Sequence, residues 1–283
     1  MADSNLIELI KALRERTGAG MMDCKRALEA NGLDIEKAVD HLREKGVIKA
    51  ANKSTRIAAE GLTNVTLSAD GKKAVILEVN CETDFVSSSD KFHGLVDKVT
   101  EILLAKEPKT LEDAKELTAI PFTDATVAMG EKFDLRRYEV VTLAEGQGFS
   151  TYMHMGGKIS VLVVFDKDPG EYAKPLAMHI AANNPSYIAL ADVPADIRAR
   201  EKAIAVEEVK ADPKLTSKPD AVKAQIVERK VDKTLSGSCL SLQNYLLDES
   251  KTVGTFLTEK GLGIVSFVRY QVGEGIAKRQ QEN

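Results

Sequence analysis

The residues of this 283-residue chain with the most chemistry to offer are four histidines and three cysteines, and their spacing gives them little to do. His41, His93, His154 and His179 lie far apart, none at the separation at which one helix face or one turn gathers two metal ligands. Each is read as a surface or satisfied core histidine. Cys24, Cys81 and Cys239 are odd in number and widely separated, so neither a disulfide framework nor a Cys-x-x-Cys metal site is on offer. A cysteine nucleophile would also need a positioned base, and the sequence identifies none. Gly18-Ala19-Gly20 does not follow a strand, and no glycine-rich loop ends in Lys-Ser or Lys-Thr, so no phosphate cradle is expected. The expectation is a chain with no catalytic residues, no metal site and no cofactor.

One segment stands apart. Asn80-Cys81-Glu82-Thr83-Asp84-Phe85-Val86 follows directly on the apolar run Ala74 to Val79, and places an aromatic between a carboxylate and Val86 ahead of Ser87-Ser88-Ser89. An aromatic on a short loop can anchor a partner, contributing about 1.5 to 3 kcal/mol if fully buried there. It can equally fold back into its own core, where large apolar residues usually reside. The residue types alone leave both readings open.

Composition bounds the partner. The chain carries 39 basic and 43 acidic side chains, a formal charge of −4, which argues against a dominant nucleic-acid footprint. A protein partner is easier to accommodate. With 43% hydrophobic and 29% charged residues the chain can fill and cover two or three compact units. The first residues lack the basic start and apolar run of a secretory signal, and no apolar stretch approaches the roughly 18 residues of a membrane span. With the unpaired cysteines, this predicts a cytoplasmic location.

The elements that must position the segment follow from periodicity. Leu6, Leu9, Ile10 and Leu13 share one helix face, Met21 to Ala30 make a second helix, and Asp34 caps a third carrying Ile35, Ala38, Val39 and Leu42. Gly46 is expected to stop that third helix, with the polar stretch Lys49 to Arg56 as a tether. Strands are expected at 62–67 and 74–79 about the turn Asp70-Gly71, then a helix over about 90–104 and a strand over 135–143. The pattern then restarts: strands near 149–154 and 159–165, a helix near 172–182 and a strand over 264–272. A shift of 85 residues lays Ala74 to Asn80 on Ile159 to Phe165, which implies a duplicated domain. The second half carries an insertion that the first lacks, from about Pro194 to Lys233, rich in Ala, Val, Ile, Lys and Glu and reversing near Pro213 and Pro219; it is expected as a helical hairpin with Ile197, Ile204, Val206 and Val209 on its first arm and Val222, Ile226, Val227 and Val231 on its second.

The predicted class is therefore α+β: a three-helix, ubiquitin-associated-like module, then two related halves with antiparallel sheets, the second carrying the hairpin. The expected divisions are 1–55 for the module and its linker, 56–144 for the first half, 145–275 for the second with the hairpin at about 194–233, and 276–283 for a short tail.

The run from Leu13 through Thr17-Gly18-Ala19-Gly20-Met21-Met22-Asp23-Cys24 to Leu28 resembles the N-terminal signature of the bacterial elongation factor Ts family, and Glu78 through Val86 resembles its second signature. Further agreement in Ala177 to Ala182, Lys251 to Val253 and Gly273 to Ile276 spreads the resemblance over nearly the whole chain. It implies a guanine nucleotide exchange factor for elongation factor Tu in translation elongation, binding the GDP-bound and nucleotide-free partner, with no bond chemistry of its own. By resemblance, Phe85 is a wedge entering the GTPase domain between two helices so that the magnesium and phosphate site is disturbed. Asp84 is its polar companion, and Thr83 and Val86 shape the loop. The resemblance also places Arg14, Met21 and Met22 against the same domain and His154 near the contact made by the second half. A one-to-one complex is expected, without direct nucleic-acid or membrane binding, and a doubling through the hairpin is left open. A different class of reading, a three-helix adaptor for another protein or a nascent chain, accounts for the first 45 or so residues but not for the paired halves or the Asp84 loop.

Overall fold

In the computed structural model, residues 2–215 and 217–277 are described, with side chains from Asn5 onward. Three helices come first: α1 (Ala2–Thr17), α2 (Met21–Ala30) and α3 (Ile35–Lys53). Their apolar faces close on one another through Ile10, Leu13, Cys24, Ala27, Leu28, Ala38, Val39 and Leu42. Asp34 caps α3 by accepting from the Lys37 amide at 3.1 Å.

Gly46 does not end α3, which continues to Lys53. A Cβ at Gly46 would lie 2.6 Å from Val127 Cγ2 and 3.0 Å from Thr123 Cγ2, so this glycine marks a close helix crossing instead of a stop. The partner is the helix spanning Leu111–Met129, and Arg43 ties the crossing by donating from Nε to Asp124 at 3.1 Å. The stretch expected as a tether is thus largely helical, up to Lys53.

Two strands, β1 (Glu60–Leu67) and β2 (Lys73–Cys81), are followed by the single turn α4 (Asp84–Ser87), then α5 (Asp90–Lys106), α6 (Leu111–Met129) and β3 (Asp134–Thr142). The sheet is antiparallel in the order β1-β2-β3, with Glu60 opposite Cys81 and Lys73 opposite Thr142. Every residue of β2 from Ala74 to Cys81 is buried, which explains why this strand shows no alternation. Val75, Leu77, Val79 and Cys81 pack with Phe92, Leu95, Val96, Val99 and Leu103 of α5. Glu78, fully buried, faces the other way. Its carboxylate accepts from Arg136 at 3.0 Å, Arg137 Nε at 2.7 Å, Asn80 Nδ2 at 3.0 Å and the Gly273 amide at 2.8 Å. Arg137 also lies over the Tyr270 ring, 4.2 Å from its centre. The Tyr270 hydroxyl donates to Glu139 at 2.9 Å, and burial, with that carboxylate, pushes its pKa well above the ordinary phenol value.

The chain then repeats the plan. Strands β4 (Gly148–His154) and β5 (Ile159–Phe165) are followed by α7 (Ala173–Asn183), α8 (Ala195–Ala211), α9 (Asp220–Ser236), the short pair β6 (Asn244–Tyr245) and β7 (Asp248–Thr252), α10 (Val253–Lys260) and β8 (Ile264–Gln271). The sheet order β4-β5-β8 repeats that of β1-β2-β3, with the second strand central in each, and the α+β class with two related halves stands. Helices α8 and α9 pack through Ala205, Val209, Val227, Val231 and Leu235, and Arg198 bridges Glu228 and Asp232. Ile204 and Val222, expected inside this hairpin, face outward: the buried i, i+4 pair on α8 is Ala205 and Val209. His179 of α7 is buried, 3.0 Å from Gln243 Oε1 and accepting from the Leu246 amide at 3.2 Å.

The chain forms two compact units. One takes the residues up to Thr142 together with Met153–Ser160 and the segment from Tyr270 on; the other takes Leu143–Tyr152 and Val161–Arg269. The first unit thus includes the turn at the end of β4, which β1 holds: the Thr63 amide donates to the Gly157 carbonyl at 2.7 Å and Lys158 Nζ to the Gly61 carbonyl at 3.2 Å. Of the tail expected at 276–283, residues 278–283 lie outside the described residues. Among the described residues, no helix is long and apolar enough to cross a membrane.

Candidate partner-binding site

The candidate loop begins where β2 runs out. Cys81 is the last buried strand residue, and Thr83, in extended conformation, caps α4 by accepting from the Val86 amide at 3.3 Å. Three serines then carry the chain into α5 with local bonds. Ser87 and Ser88 donate their hydroxyls to the Asp84 carbonyl at 3.0 and 2.8 Å. Ser89 donates to the Val86 carbonyl and caps α5 by accepting from the Phe92 amide. The serine run is therefore a set of caps that fixes a one-turn helix at the sheet end.

That turn sorts its side chains. Val86 is half-buried and packs on the core shared by β2 and α5, and Ser87 is buried. Asp84 is exposed, and Phe85 is 86% exposed, more than any other large hydrophobic side chain among the described residues. Of the two readings the sequence left for Phe85, the structure selects the outward one.

The base of the loop is braced from an unexpected quarter. Glu131, in the turn between α6 and β3, accepts from the Glu82 amide at 2.9 Å, the Thr83 amide at 3.1 Å and the Thr83 hydroxyl at 2.6 Å. In return the Glu82 carboxylate accepts from the Lys132 amide at 2.7 Å and from Arg56 at 3.2 Å. Lys132 Nζ donates to the Ser54 and Arg56 carbonyls at 2.7 and 3.0 Å, and Lys53 donates to the Gly130 carbonyl. Sequence reasoning missed Glu131, since a lone Gly-Glu-Lys turn carries no signal without the fold that brings it 48 residues back to Thr83.

The other residues singled out lie on the first compact unit as well. Arg14 is exposed on α1, and Met21 and Met22, 57% and 59% exposed, open α2 while Cys24, Ala27 and Leu28 face its core. His154, exposed, ends β4 at a tight turn whose Gly157 and Lys158 amides both donate to its carbonyl, flanked by the exposed Met153 and Met155. The sequence assigned His154 to the second half, whereas the structure groups residues 153–160 with the loop and the three helices.

Burial, with the Glu131 charge second, pushes the Cys81 thiol up to about 12, and burial raises Cys24 and Cys239 as well, so none supplies a thiolate at neutral pH. Among the described residues no group of three or more His, Cys, Asp or Glu side chains is placed to hold a metal ion.

A sequence model of the family described as elongation factor TS matches residues 82–274. The chain is 44% identical over 276 residues to the elongation factor Ts of Lactiplantibacillus plantarum, covering 95% of this chain and 92% of the relative. The chain belongs to the elongation factor Ts family. It is likewise 44% identical over 282 residues to the elongation factor Ts of Oenococcus oeni, with 96% and 93% covered. The family match begins at Glu82, where β2 gives way to the braced loop, and ends at Glu274 beside the Glu78 cluster.

Proposed function

We propose that this chain is the guanine nucleotide exchange factor of elongation factor Tu in translation elongation, and that it acts by inserting Phe85 into the GTPase domain of that partner. The observation that carries the proposal is the 86% exposure of an aromatic on a loop whose neighbours are all held. The backbone that carries Phe85 is already held, so on binding the ring gives up side-chain freedom but the turn little, and most of the burial energy remains for the partner. Asp84 accompanies it into the interface, Thr83 and Val86 hold the turn, and the aromatic wedges between two helices so that the partner's magnesium and phosphate contacts are disturbed. Losing that ion weakens every phosphate contact at once, because it neutralises phosphate charge. Arg14, Met21 and Met22 make a second contact with the same domain, and His154 a third. No bond is made or broken by this chain.

Linkage constrains the mechanism. Free energy spent by the factor in weakening nucleotide is returned in full when nucleotide weakens the factor, typically about 1 to 3 kcal/mol or roughly 5- to 150-fold. Titration of this chain into nucleotide-free elongation factor Tu, and into the same protein saturated with GDP and magnesium, tests the proposal. Affinity lower with GDP by a factor in that range is expected. Equal affinity for the two forms overturns the proposal and favours a plain adaptor.

A further inference from the structure

We propose that Glu131 is the positioning residue of the Phe85 loop: it fixes the hydroxyl of Thr83 and the two amides before it, and so sets the direction in which Phe85 projects. The inference rests on the exchange reading above and deepens it.

The Thr83 hydroxyl has one hydrogen to give, and Glu131 Oε1 lies 2.6 Å away with no hydrogen of its own when ionised. The proton is therefore committed to Glu131, and a lone pair is turned toward the Val86 amide, which donates to it at 3.3 Å. That bond closes the turn carrying Phe85. The other carboxylate oxygen takes the Glu82 and Thr83 amides, which stand past the last strand pairing at Cys81 and would otherwise depend on solvent. The Thr83 carbonyl is engaged as well, accepting from the Cys81 thiol at 3.2 Å and the Ser87 amide at 3.2 Å. Every polar group of Thr83 is thus fixed, and two of those bonds, joined by that of the Glu82 amide, converge on one carboxylate.

Glu131 bonds to Glu82 and Thr83 and not to Phe85, so its effect on the partner passes through the turn and the ring that the turn presents. The reciprocal bonds of Glu82 to Lys132 and Arg56 join the same brace to the end of α3, but none of them touches Thr83. Removing Glu131 leaves β2, α5 and their core in place and frees the turn. A freed turn must be reordered at each encounter, which lowers the yield of productive contacts.

The test follows release of fluorescent GDP from elongation factor Tu with magnesium present, using the full chain, Glu131→Ala, Glu131→Gln, Phe85→Ala and the double variant. Glu131→Ala is expected to reduce the acceleration about tenfold, as for one or two groups left to be ordered on binding. Glu131→Gln, which keeps an acceptor for the two amides, recovers part of it. The double variant matches Phe85→Ala, because Glu131 works through that ring. Hydrogen exchange supplies the second readout: the Thr83 and Val86 amides are expected to lose protection in Glu131→Ala while the amides of β2 keep theirs. Parent-like release by Glu131→Ala, or a double variant worse than Phe85→Ala by a further several-fold, overturns the positioning role alone. A parent chain that does not accelerate release overturns the exchange reading and the proposal with it.

Discussion

Glu78 offers the most quantitative test of what holds the central strand β2 in place. Its carboxylate is wholly buried on the central strand and receives two arginines, the Asn80 amide group and the Gly273 backbone amide. Truncation in Glu78→Ala takes the carboxylate from Arg136, leaves Arg137 with Glu274 alone, and orphans the Gly273 amide. Breaking a buried pair from one side costs about 3 to 5 kcal/mol. Arg136 and Arg137 keep 25% and 28% of their side-chain surface in water, which relieves part of the stranded charge and favours the lower end, about 3 kcal/mol. At roughly 2 to 4 °C per kcal/mol for a chain of this size, the melting point should fall by about 6 to 12 °C. Thermal and urea unfolding followed by circular dichroism measure it. A loss below about 1 kcal/mol would refute the reasoning, since surface-like pairs give no more than that.

Other expectations are independent of this one. Phe85→Ala should leave stability within about 0.5 kcal/mol of the parent, because the ring is exposed; a loss of several kcal/mol would mean that it packs inside in solution. Gly61→Ala should cost at least about 2 kcal/mol, since Gly61 sits at φ +142° and a Cβ there would lie 2.1 Å from the Val79 carbonyl. A parent-like urea midpoint would contradict that crowding. Burial lowers the His179 pKa below its ordinary 6.5, so the unfolded imidazole takes up a proton first as pH falls. The stability His179 provides is whole above about pH 6.5 and declines as pH drops toward the folded value. Urea midpoints between pH 7.5 and 5.5 should therefore fall, and fall less in His179→Gln; an identical slope in the variant would exclude His179 as the cause.

Much of the frame was legible in the residues. The helical stripe of Leu6, Leu9, Ile10 and Leu13 and the apolar run Ala74 to Val79 signal their elements because one face, or both, must leave water. The 85-residue repeat surfaced because two central strands face the same double-sided burial. What stayed hidden depends on neighbours distant in sequence. Gly46 has the appearance of a stop until Val127 is seen pressed against it. Ile204 and Val222 are apolar at plausible positions, yet the hairpin turns Ala205 and Val209 inward. At the site, residue types marked Phe85 as unusual but could not decide its direction, since that is set by Thr83, the serine caps and Glu131 together. Glu131 itself was invisible, because a brace is defined by the atoms it meets.

The proposed exchange role requires that nucleotide on elongation factor Tu be loosened through Phe85. Stopped-flow release of fluorescent GDP from elongation factor Tu, with magnesium present, addresses it most directly when the parent chain is run beside a folded Phe85→Ala variant. Strong acceleration by the parent is expected, with a loss of about 10- to 150-fold in the variant, the equivalent of burying one aromatic side chain. Parent and variant accelerating release equally, or a parent that leaves release unchanged, would contradict it.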